Sequence, residues 1–306
     1  MFLVTKNAVF KRFVAFHKRL KFVLQERRRI VVFHDSSREI YGWINKQPNV
    51  KEESLTDWLL YYTSEHCSNL YYQEFTRHKE ANNGADWEWW ILTPRYDGEY
   101  NAYRFLVQAK KLLSNGRDNY SLLSYGNKNG YQIDMLMEAA KHKNAFPLYL
   151  YYSTALADIN KQIEEFPYID SSVIYWCDSC ENGCYLSPAL KVYTELYKYP
   201  RHKLRDTDIV NKALKLSLLD LLFRNNVESV LNQFNRKYIL PNREEILNDS
   251  AQGVYGIKHS GIGIPDYLKM FVDRRGENLE WLQEQMRIDD IDGISVLDFR
   301  NINEDK

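Results

Sequence analysis

GADWEWWILTPRYDGEYNAYRFLVQAKK, residues 84–111, carries the clearest local signal for the fold of this chain. Two apolar runs, DWEWWIL and AYRFLVQAKK, flank a polar segment, and this order predicts two strands joined as a hairpin. Side chains two apart in a strand lie on one face, so Gln108 and Lys110 share a face at the end of the second strand. If the two strands pair, Asp86 lies beside them.

These residue types suggest a chemistry. A carboxylate, an amide oxygen and an amine at one place can hold a hard cation and hydrolyse a phosphodiester. Asp86, Gln108 Oε1 and the Ala109 carbonyl can supply the oxygen ligands that Mg²⁺ prefers. Lys110 can orient the attacking water or offset charge in the transition state. The alternative is that Asp86 is a turn residue and that Lys110 and Lys111 form a solvated strand end.

Further patterns extend the hairpin into an α/β core over residues 51–155. The order of helix, three strands, helix and strand predicts a meander followed by a helical crossover, that is, a mixed sheet flanked by helices. Acidic residues in the first turn of the first helix suit the helix dipole. The predicted elements are a helix at 52–66, strands at 69–78, 86–92 and 102–111, a helix at 129–143 and a buried strand at 146–154.

The regions outside this core divide into two. Residues 1–50 predict a basic amphipathic helix at 8–29 and a short hairpin formed by IVVFHD (30–35) and EIYGWI (39–44). Residues 156–306 predict a mostly helical elaboration, a glycine-rich loop at 250–266 and a terminal strand, GISVLDF (293–299). The helices predicted for this region are 155–166, 187–199, 208–225 and 227–238.

Composition limits the function classes. No run approaches the roughly 18 apolar residues that cross a bilayer, and four cysteines in 306 residues do not suggest a disulfide scaffold, so we expect a cytoplasmic protein without a membrane partner. The formal net charge is zero, but residues 1–30 carry nine Lys/Arg against one Glu. This asymmetry indicates contact with nucleic acid. The alternatives are a membrane-surface helix and a packed helix with a solvated basic face.

The element order, with Asp86 opening one strand and Gln108-x-Lys110 ending the next, resembles the PD-(D/E)xK nuclease superfamily. The Q-x-K form is similar to the Mrr-type restriction endonuclease branch, and the GADWEWW block resembles an uncharacterised bacterial family to which no activity is attached. The resemblance implies a restriction-endonuclease-like core with Asp86 as metal ligand, Gln108 at the second acidic position and Lys110 as catalytic lysine. Glu52 or Glu53 would be the glutamate of the first helix.

The resemblance implies a Mg²⁺- or Mn²⁺-dependent endonuclease that hydrolyses DNA phosphodiesters in bacterial defence, with RNA left open as substrate. Cutting both strands often calls for two active sites, so a homo-oligomer is one expected assembly. The alternatives are an inactive nucleic-acid-binding module and a protein-interaction domain. Cys177, Cys180 and Cys184 in CDSCENGC form one half of a zinc pattern, or are loop and packed cysteines.

Overall fold

The structure of the chain is a computed structural model. It describes residues 28–29, 31–74, 84–94, 99–112, 126–127, 130–154, 182–198, 209–210, 216–217, 257–259, 264–274, 280–282, 284 and 293–300. Its main helices are α1 (31–46), α2 (Glu52–His66), α3 (Gln132–Lys143), α4 (Ala189–Lys198) and α5 (Asp266–Asp273).

Six longer strands form a mixed open sheet between these helices. Along the sheet the order is β1-β10-β2-β3-β6-β7-β8, and β9 pairs with β3 outside this order. The strands are β1 (Leu70–Glu74), β2 (Trp87–Pro94), β3 (Tyr100–Lys111), β4 (Gly126–Asn127), β5 (Gly130–Tyr131), β6 (Phe146–Tyr152), β7 (Cys184–Pro188), β8 (Leu216–Ser217), β9 (Ile257–His259) and β10 (Gly293–Asp298); β4 and β5 form a separate pair.

Both faces of the central strands are buried, which explains why their sequences are continuous apolar runs instead of alternating ones. In β2, Trp89 belongs to one hydrophobic cluster and Trp90, its neighbour, belongs to the other. Helices α1 and α2 cover the first face, and α3, α4 and α5 cover the second. The described residues therefore form an α/β protein in which a mixed sheet lies between two helical layers.

The predicted hairpin at 30–44 is wrong, because residues 31–46 form the helix α1. The apolar, β-branched run IVV favours a strand locally. The buried positions Val32, Phe33, Ile40 and Ile44 nevertheless recur at helical spacing and pack into the first cluster. The Ser36 hydroxyl donates to Val32 O at 2.6 Å, a bond that only a helical turn brings together.

The predicted meander is interrupted by a strand from the end of the chain. β10 lies between β1 and β2: it pairs antiparallel with β1, with Tyr72 opposite Ser295, and parallel with β2, with Ser295 opposite Trp89. The predicted terminal strand GISVLDF is confirmed as β10, whereas direct pairing of β1 with β2, which a meander implies, is wrong. Parallel pairing needs a crossover connection, so a chain segment remote in sequence can occupy this place.

The remaining core elements match the sequence prediction closely. The helix at 52–66, the strands at 69–78, 86–92, 102–111 and 146–154, the helix at 129–143 and the helix at 187–199 correspond to α2, β1, β2, β3, β6, α3 and α4. Residues 130–131 and 187–188 belong to β5 and β7 instead of to the predicted helices. Residues 75–78, 129 and 199 lie outside the described residues. The predicted helices at 155–166 and 227–238, and the basic helix up to residue 27, lie outside the described residues.

Two short strands replace other predicted structure. β8 lies inside the predicted helix 208–225 and pairs with Tyr185 and Leu186 of β7. β9 lies inside the predicted loop 250–266 and pairs with Asn101–Tyr103 of β3. The partner β6 begins opposite Phe105, so β9 satisfies backbone groups of β3 that β6 does not reach. Residues beyond 155 therefore contribute strands to the sheet as well as helices.

No helix among the described residues is long and apolar enough to span a membrane.

Candidate functional site

Asp86 lies beside Gln108 at the end of the β2–β3 hairpin. The register places Trp87 opposite Val107, and Asp86 N donates to Val107 O at 2.8 Å. The Asp86 carboxylate then accepts two hydrogen bonds on Oδ2, from Gln108 Nε2 at 2.7 Å and from Ala109 N at 2.7 Å. The pairing that the sequence predicted for Asp86 is therefore present as direct contact.

A difference in strand length creates this site. β3 continues to Lys111, which pairs with Tyr152 of β6, whereas β2 begins only at Trp87. No residue of β2 therefore lies opposite Ala109 or Lys111. Their backbone N–H groups need other acceptors, because an unpaired buried N–H costs free energy. Carboxylates replace the missing strand partner, since Asp86 accepts from Ala109 N and Glu52 Oε2 accepts from Lys111 N at 2.6 Å.

Gly84 brings the chain into this position. Its φ of +72° lies in the left-handed region that favours glycine. A Cβ at this position would lie 2.5 Å from Gln132 O and 2.8 Å from Leu136 N, so only glycine allows this approach to α3. Ala85 and Asp86 follow Gly84 and lead directly into β2. The close approach of Gly84 to α3 therefore fixes the position of Asp86.

The first helix contributes Glu52. This residue opens α2, and its Oε1 lies 3.7 Å from Lys110 Nζ. Glu53, the alternative that the resemblance left open, has an exposed side chain. Lys110 and Lys111 are each only 8% exposed, so the alternative of a solvated strand end is wrong for both. The structure thus groups Glu52, Asp86, Gln108 and Lys110, and leaves Glu53 at the surface.

Burial shapes the acidity of the two carboxyl groups. It raises the pKa of Asp86 to about 6, while Lys110 and the hydrogen bond from Ala109 N act in the opposite direction. Burial likewise raises the pKa of Glu52, and Lys110 again opposes the shift. Two partly buried carboxyl groups beside one lysine favour an additional positive charge, because each carboxylate is costly to ionise in a poorly solvated place.

A hard divalent cation would fit this group of oxygens if the Gln108 amide turned its oxygen toward them. Gln108 Nε2 donates to Asp86 Oδ2 and, at 3.1 Å, to Ala109 O, so it points at the two other oxygens predicted as ligands. Gln108 Oε1 is buried without a hydrogen-bond partner among the described residues. Rotating the amide by 180° would place Oε1 with the other two oxygens, and a cation between the three would offset their mutual repulsion.

The carboxylates of this group are few. Among the residues that the structure describes, no group of three or more His, Cys, Asp or Glu side chains could hold a metal. A cation at the strand end would therefore depend on Asp86, the Gln108 amide and the Ala109 carbonyl, with Glu52 close to Lys110. Mg²⁺ commonly keeps several waters and needs only one or two protein carboxylates, so this set suits it.

Glu88 lies in β2, two residues after Asp86, but it does not belong to the site. Its fully buried carboxylate pairs with Arg104 at 2.7 Å and accepts hydrogen bonds from Trp90 Nε1 and Tyr267 OH. Arg104 also donates to Lys143 O at 2.9 Å. This network connects β2, β3, α5 and the end of α3 inside the second hydrophobic cluster, and its role is structural.

Two of the four cysteines, Cys67 and Cys184, lie within the described residues. Cys184 is buried at the start of β7, and burial raises the pKa of its thiol to about 12. Cys67 is buried too, and burial raises its pKa to about 11. Zinc binds the thiolate, which these surroundings disfavour for both residues. Cys177 and Cys180 lie outside the described residues.

Sequence reasoning missed the role of Lys111. Its ammonium donates to Val50 O at 2.7 Å and also to Pro48 O, both in the turn before α2. Burial lowers the pKa of Lys111, and Glu52 opposes the shift. The only sequence signal is a second lysine directly after Lys110, a pair that is more common at solvated strand ends.

The fold and this group of side chains define the class: an α/β protein with a mixed open sheet and a cluster of carboxylates, an amide and lysines at the end of its central hairpin. The chain belongs to a family of unknown function, DUF6615, whose model matches residues 30–291. The match includes every residue of the candidate site. Neither the curated proteins nor the solved structures contain a match to this chain.

Proposed function

We propose that this protein is a metal-dependent nuclease that hydrolyses DNA phosphodiester bonds at the end of the β2–β3 hairpin. The observation that carries the proposal is the grouping of Asp86, Gln108 and Lys110 in one partly buried cluster at the strand end, with Asp86 Oδ2 2.7 Å from Gln108 Nε2. Residues from a third element join it, because Glu52 at the start of α2 lies 3.7 Å from Lys110 Nζ.

Each residue has a defined task in this proposal. Asp86, Gln108 Oε1 (after rotation of its amide) and the Ala109 carbonyl would hold Mg²⁺ or Mn²⁺, and the metal would supply positive charge that stabilises the phosphate oxygens. The ammonium of Lys110 orients the attacking water or offsets negative charge on the phosphate in the transition state. Glu52 accepts the Lys111 amide and keeps its other oxygen near Lys110, so it orients that ammonium.

The cellular setting belongs to the proposal as well. The role in bacterial defence rests on analogy with restriction endonucleases, and a fold alone does not carry a function. The cytoplasmic location rests on the low cysteine content, and a homo-oligomer on the need to cut two strands. DNA as the partner rests on the excess of Lys/Arg in residues 1–30.

Incubation with supercoiled plasmid DNA tests the proposal. We expect nicking or linearisation with Mg²⁺ or Mn²⁺ and none with EDTA. Glu52→Gln should lower the rate, whereas Glu53→Gln, its exposed neighbour, should leave it close to the parent value. A protein that cuts no DNA or RNA with either metal overturns the nuclease proposal.

A specific observation favours a second candidate, a non-catalytic nucleic-acid-binding module. Asp86 Oδ2 accepts from the Gln108 side chain and from the Ala109 backbone amide, and Glu52 Oε2 accepts from the Lys111 backbone amide, so the carboxylates also serve as structural caps. DNA binding with a steep salt dependence, unchanged by Mg²⁺ and without cleavage, would support this candidate.

A further inference from the structure

We propose that Lys111 is a positioning residue, which holds the start of α2 so that Glu52 keeps its carboxylate beside Lys110; this inference rests on the proposed function. Lys111 is not itself in contact with the reacting groups. Its side chain lies on the opposite face of β3 from that of Lys110, because successive residues of a strand alternate.

The side chain of Lys111 holds the turn between α1 and α2. Its ammonium donates to Val50 O at 2.7 Å and to Pro48 O, and the side chain is almost fully buried. The turn is otherwise closed by a bond from Val50 N to Gln47 O at 2.9 Å. Lys51, the N-cap of α2, makes no side-chain capping bond. The Trp43 side chain holds Gln47 at the start of the turn, and the Lys111 ammonium holds Pro48 and Val50.

The backbone of the same lysine holds the glutamate. Lys111 N donates to Glu52 Oε2 at 2.6 Å, and Glu52 is two residues after Val50. A closed ring results: from the ammonium to Val50 O, along the chain to Glu52, and back through the carboxylate to the Lys111 amide. One residue therefore sets both the helix start and the direction of the carboxylate.

This ring places the other oxygen of Glu52. With Oε2 held at the Lys111 amide, Oε1 lies 3.7 Å from Lys110 Nζ. A misplacement of about 1 Å at a site can lower a rate about a hundredfold, even when the changed residue does not touch substrate. Loss of the ammonium frees the turn and allows Glu52 to leave Lys110 while β3 keeps its pairing with β6.

A double-mutant cycle with Glu52 separates positioning from a general loss of stability. We expect Lys111→Met, which keeps the apolar stem, to lower plasmid cleavage by about tenfold to a hundredfold. Lys111→Arg, which keeps charge and donors, should restore most of it. In a Glu52→Gln background, Lys111→Met should cause little further loss, since its target is gone. Lys46→Met, an exposed lysine at the end of α1, is the control and should leave the rate unchanged.

Hydrogen exchange supplies a measurement that does not depend on cleavage. In Lys111→Met we expect faster exchange of the residue 111 amide and of residues 50–52, and no change in Lys46→Met. If Lys111→Met yields no folded protein, Lys111→Gln carries the same cycle and the same exchange measurement, because its shorter, uncharged side chain weakens the bonds to Pro48 O and Val50 O while it stays polar.

The outcomes separate this inference from the proposed function. Additive losses in the cycle, or unchanged exchange at residue 111, overturn the positioning role while cleavage by the parent still stands. A parent protein that cuts no nucleic acid overturns the proposed function, and the catalytic meaning of the Lys111 contact with it. Non-additive losses, rescue by arginine and faster exchange together support the positioning role.

Discussion

Asp86 and Gln108 meet through one oxygen: Oδ2 of Asp86 lies 2.7 Å from Nε2 of Gln108. The same oxygen accepts the backbone N–H of Ala109. The carboxylate thus replaces a β2 residue that the shorter strand no longer provides. Asp86 can bind a cation together with Gln108 only if the Gln108 amide turns its oxygen toward the carboxylate. The orientation of this amide therefore decides whether Asp86 is a strand cap or a metal ligand.

Removal of Asp86 or of Lys110 should affect cleavage in different ways. Asp86→Ala and Lys110→Ala should each lower the cleavage rate by about a hundredfold or more. Asp86→Ala should also weaken Mg²⁺ binding, because it removes a carboxylate ligand, whereas Lys110→Ala should largely spare it. Cleavage assays and calorimetric titration with Mg²⁺ measure the two effects, and equal cleavage by parent and both variants would show that the site lies elsewhere.

Stability should depend on pH through Asp86. Its pKa is raised to about 6 in the folded protein and is about 3.9 in an unfolded chain. The folded state therefore binds this proton more tightly, and the stability it contributes is full below about pH 3.9 and is lost as the pH rises through about 6. Asp86→Asn, which stays neutral, should gain melting temperature over the parent as the pH rises across that window.

The measurement is thermal unfolding in EDTA at several pH values. Glu52 is shifted in the same direction, so the parent should keep some of this dependence when Asp86 is replaced. Asp266→Asn is the control, since the Asp266 side chain is 92% exposed. A difference between parent and Asp86→Asn that stays constant from about pH 4 to about pH 7 would contradict the raised pKa.

The central hairpin could be predicted because its signals are local. Two apolar runs and a polar turn determine that β2 and β3 pair, and the alternation along β3 places Gln108 and Lys110 together. Helix α1 was mispredicted because the β-branched run at 30–32 favours a strand. The helix is stabilised by burial of Val32, Phe33, Ile40 and Ile44 in the first hydrophobic cluster, which depends on packing against the sheet. The local sequence does not show which residues will pack against the sheet.

The rest depended on contacts remote in sequence. No local pattern tells that β10, some 200 residues after β2, lies between β1 and β2. The choice between Glu52 and Glu53 likewise depends on the rotation of α2 against the sheet, which leaves Glu53 exposed. Lys111 was missed because its acceptors are backbone carbonyls, and backbone acceptors leave no mark in a sequence.

Breaking the buried pair of Glu88 and Arg104 should destabilise the fold without changing the site. Glu88→Gln leaves the buried guanidinium without its counter-charge, and loss of one partner of such a pair costs about 3 to 5 kcal/mol. Urea unfolding measures the effect. Glu138→Gln is the matched control, because the pair of Glu138 with His142 is exposed, and it should stay within about 0.5 kcal/mol of the parent.

In the fraction of Glu88→Gln that stays folded, Mg²⁺ affinity should equal that of the parent. A stable Glu88→Gln variant with weakened Mg²⁺ binding would assign Glu88 to the metal site instead of to the core.

The basic N-terminal segment should contribute sequence-independent affinity for DNA. Residues 1–27 carry seven Lys/Arg against one Glu, and each phosphate neutralised by such a residue releases counterions. Removal of residues 1–27 should therefore weaken DNA binding and flatten the dependence of the binding constant on salt. Fluorescence anisotropy at several salt concentrations measures the slope. Removal of residues 301–306 is the control, and equal slopes for parent and N-terminal truncation would reject the contact.

Replacement of Gln108 by glutamate tests whether the amide lies at a cation site. Without metal, Gln108→Glu removes the donor to Asp86 Oδ2 and puts a second negative charge beside it, so the variant should be less stable than the parent in EDTA. With Mg²⁺ the added carboxylate becomes a ligand, and the metal should then raise the melting temperature more than it does in the parent. Gln47→Glu adds the same charge at an exposed turn residue and should show no such gain. If Mg²⁺ stabilises Gln108→Glu no more than the parent, the strand end holds no cation, and Asp86 and Glu52 are structural caps of β3.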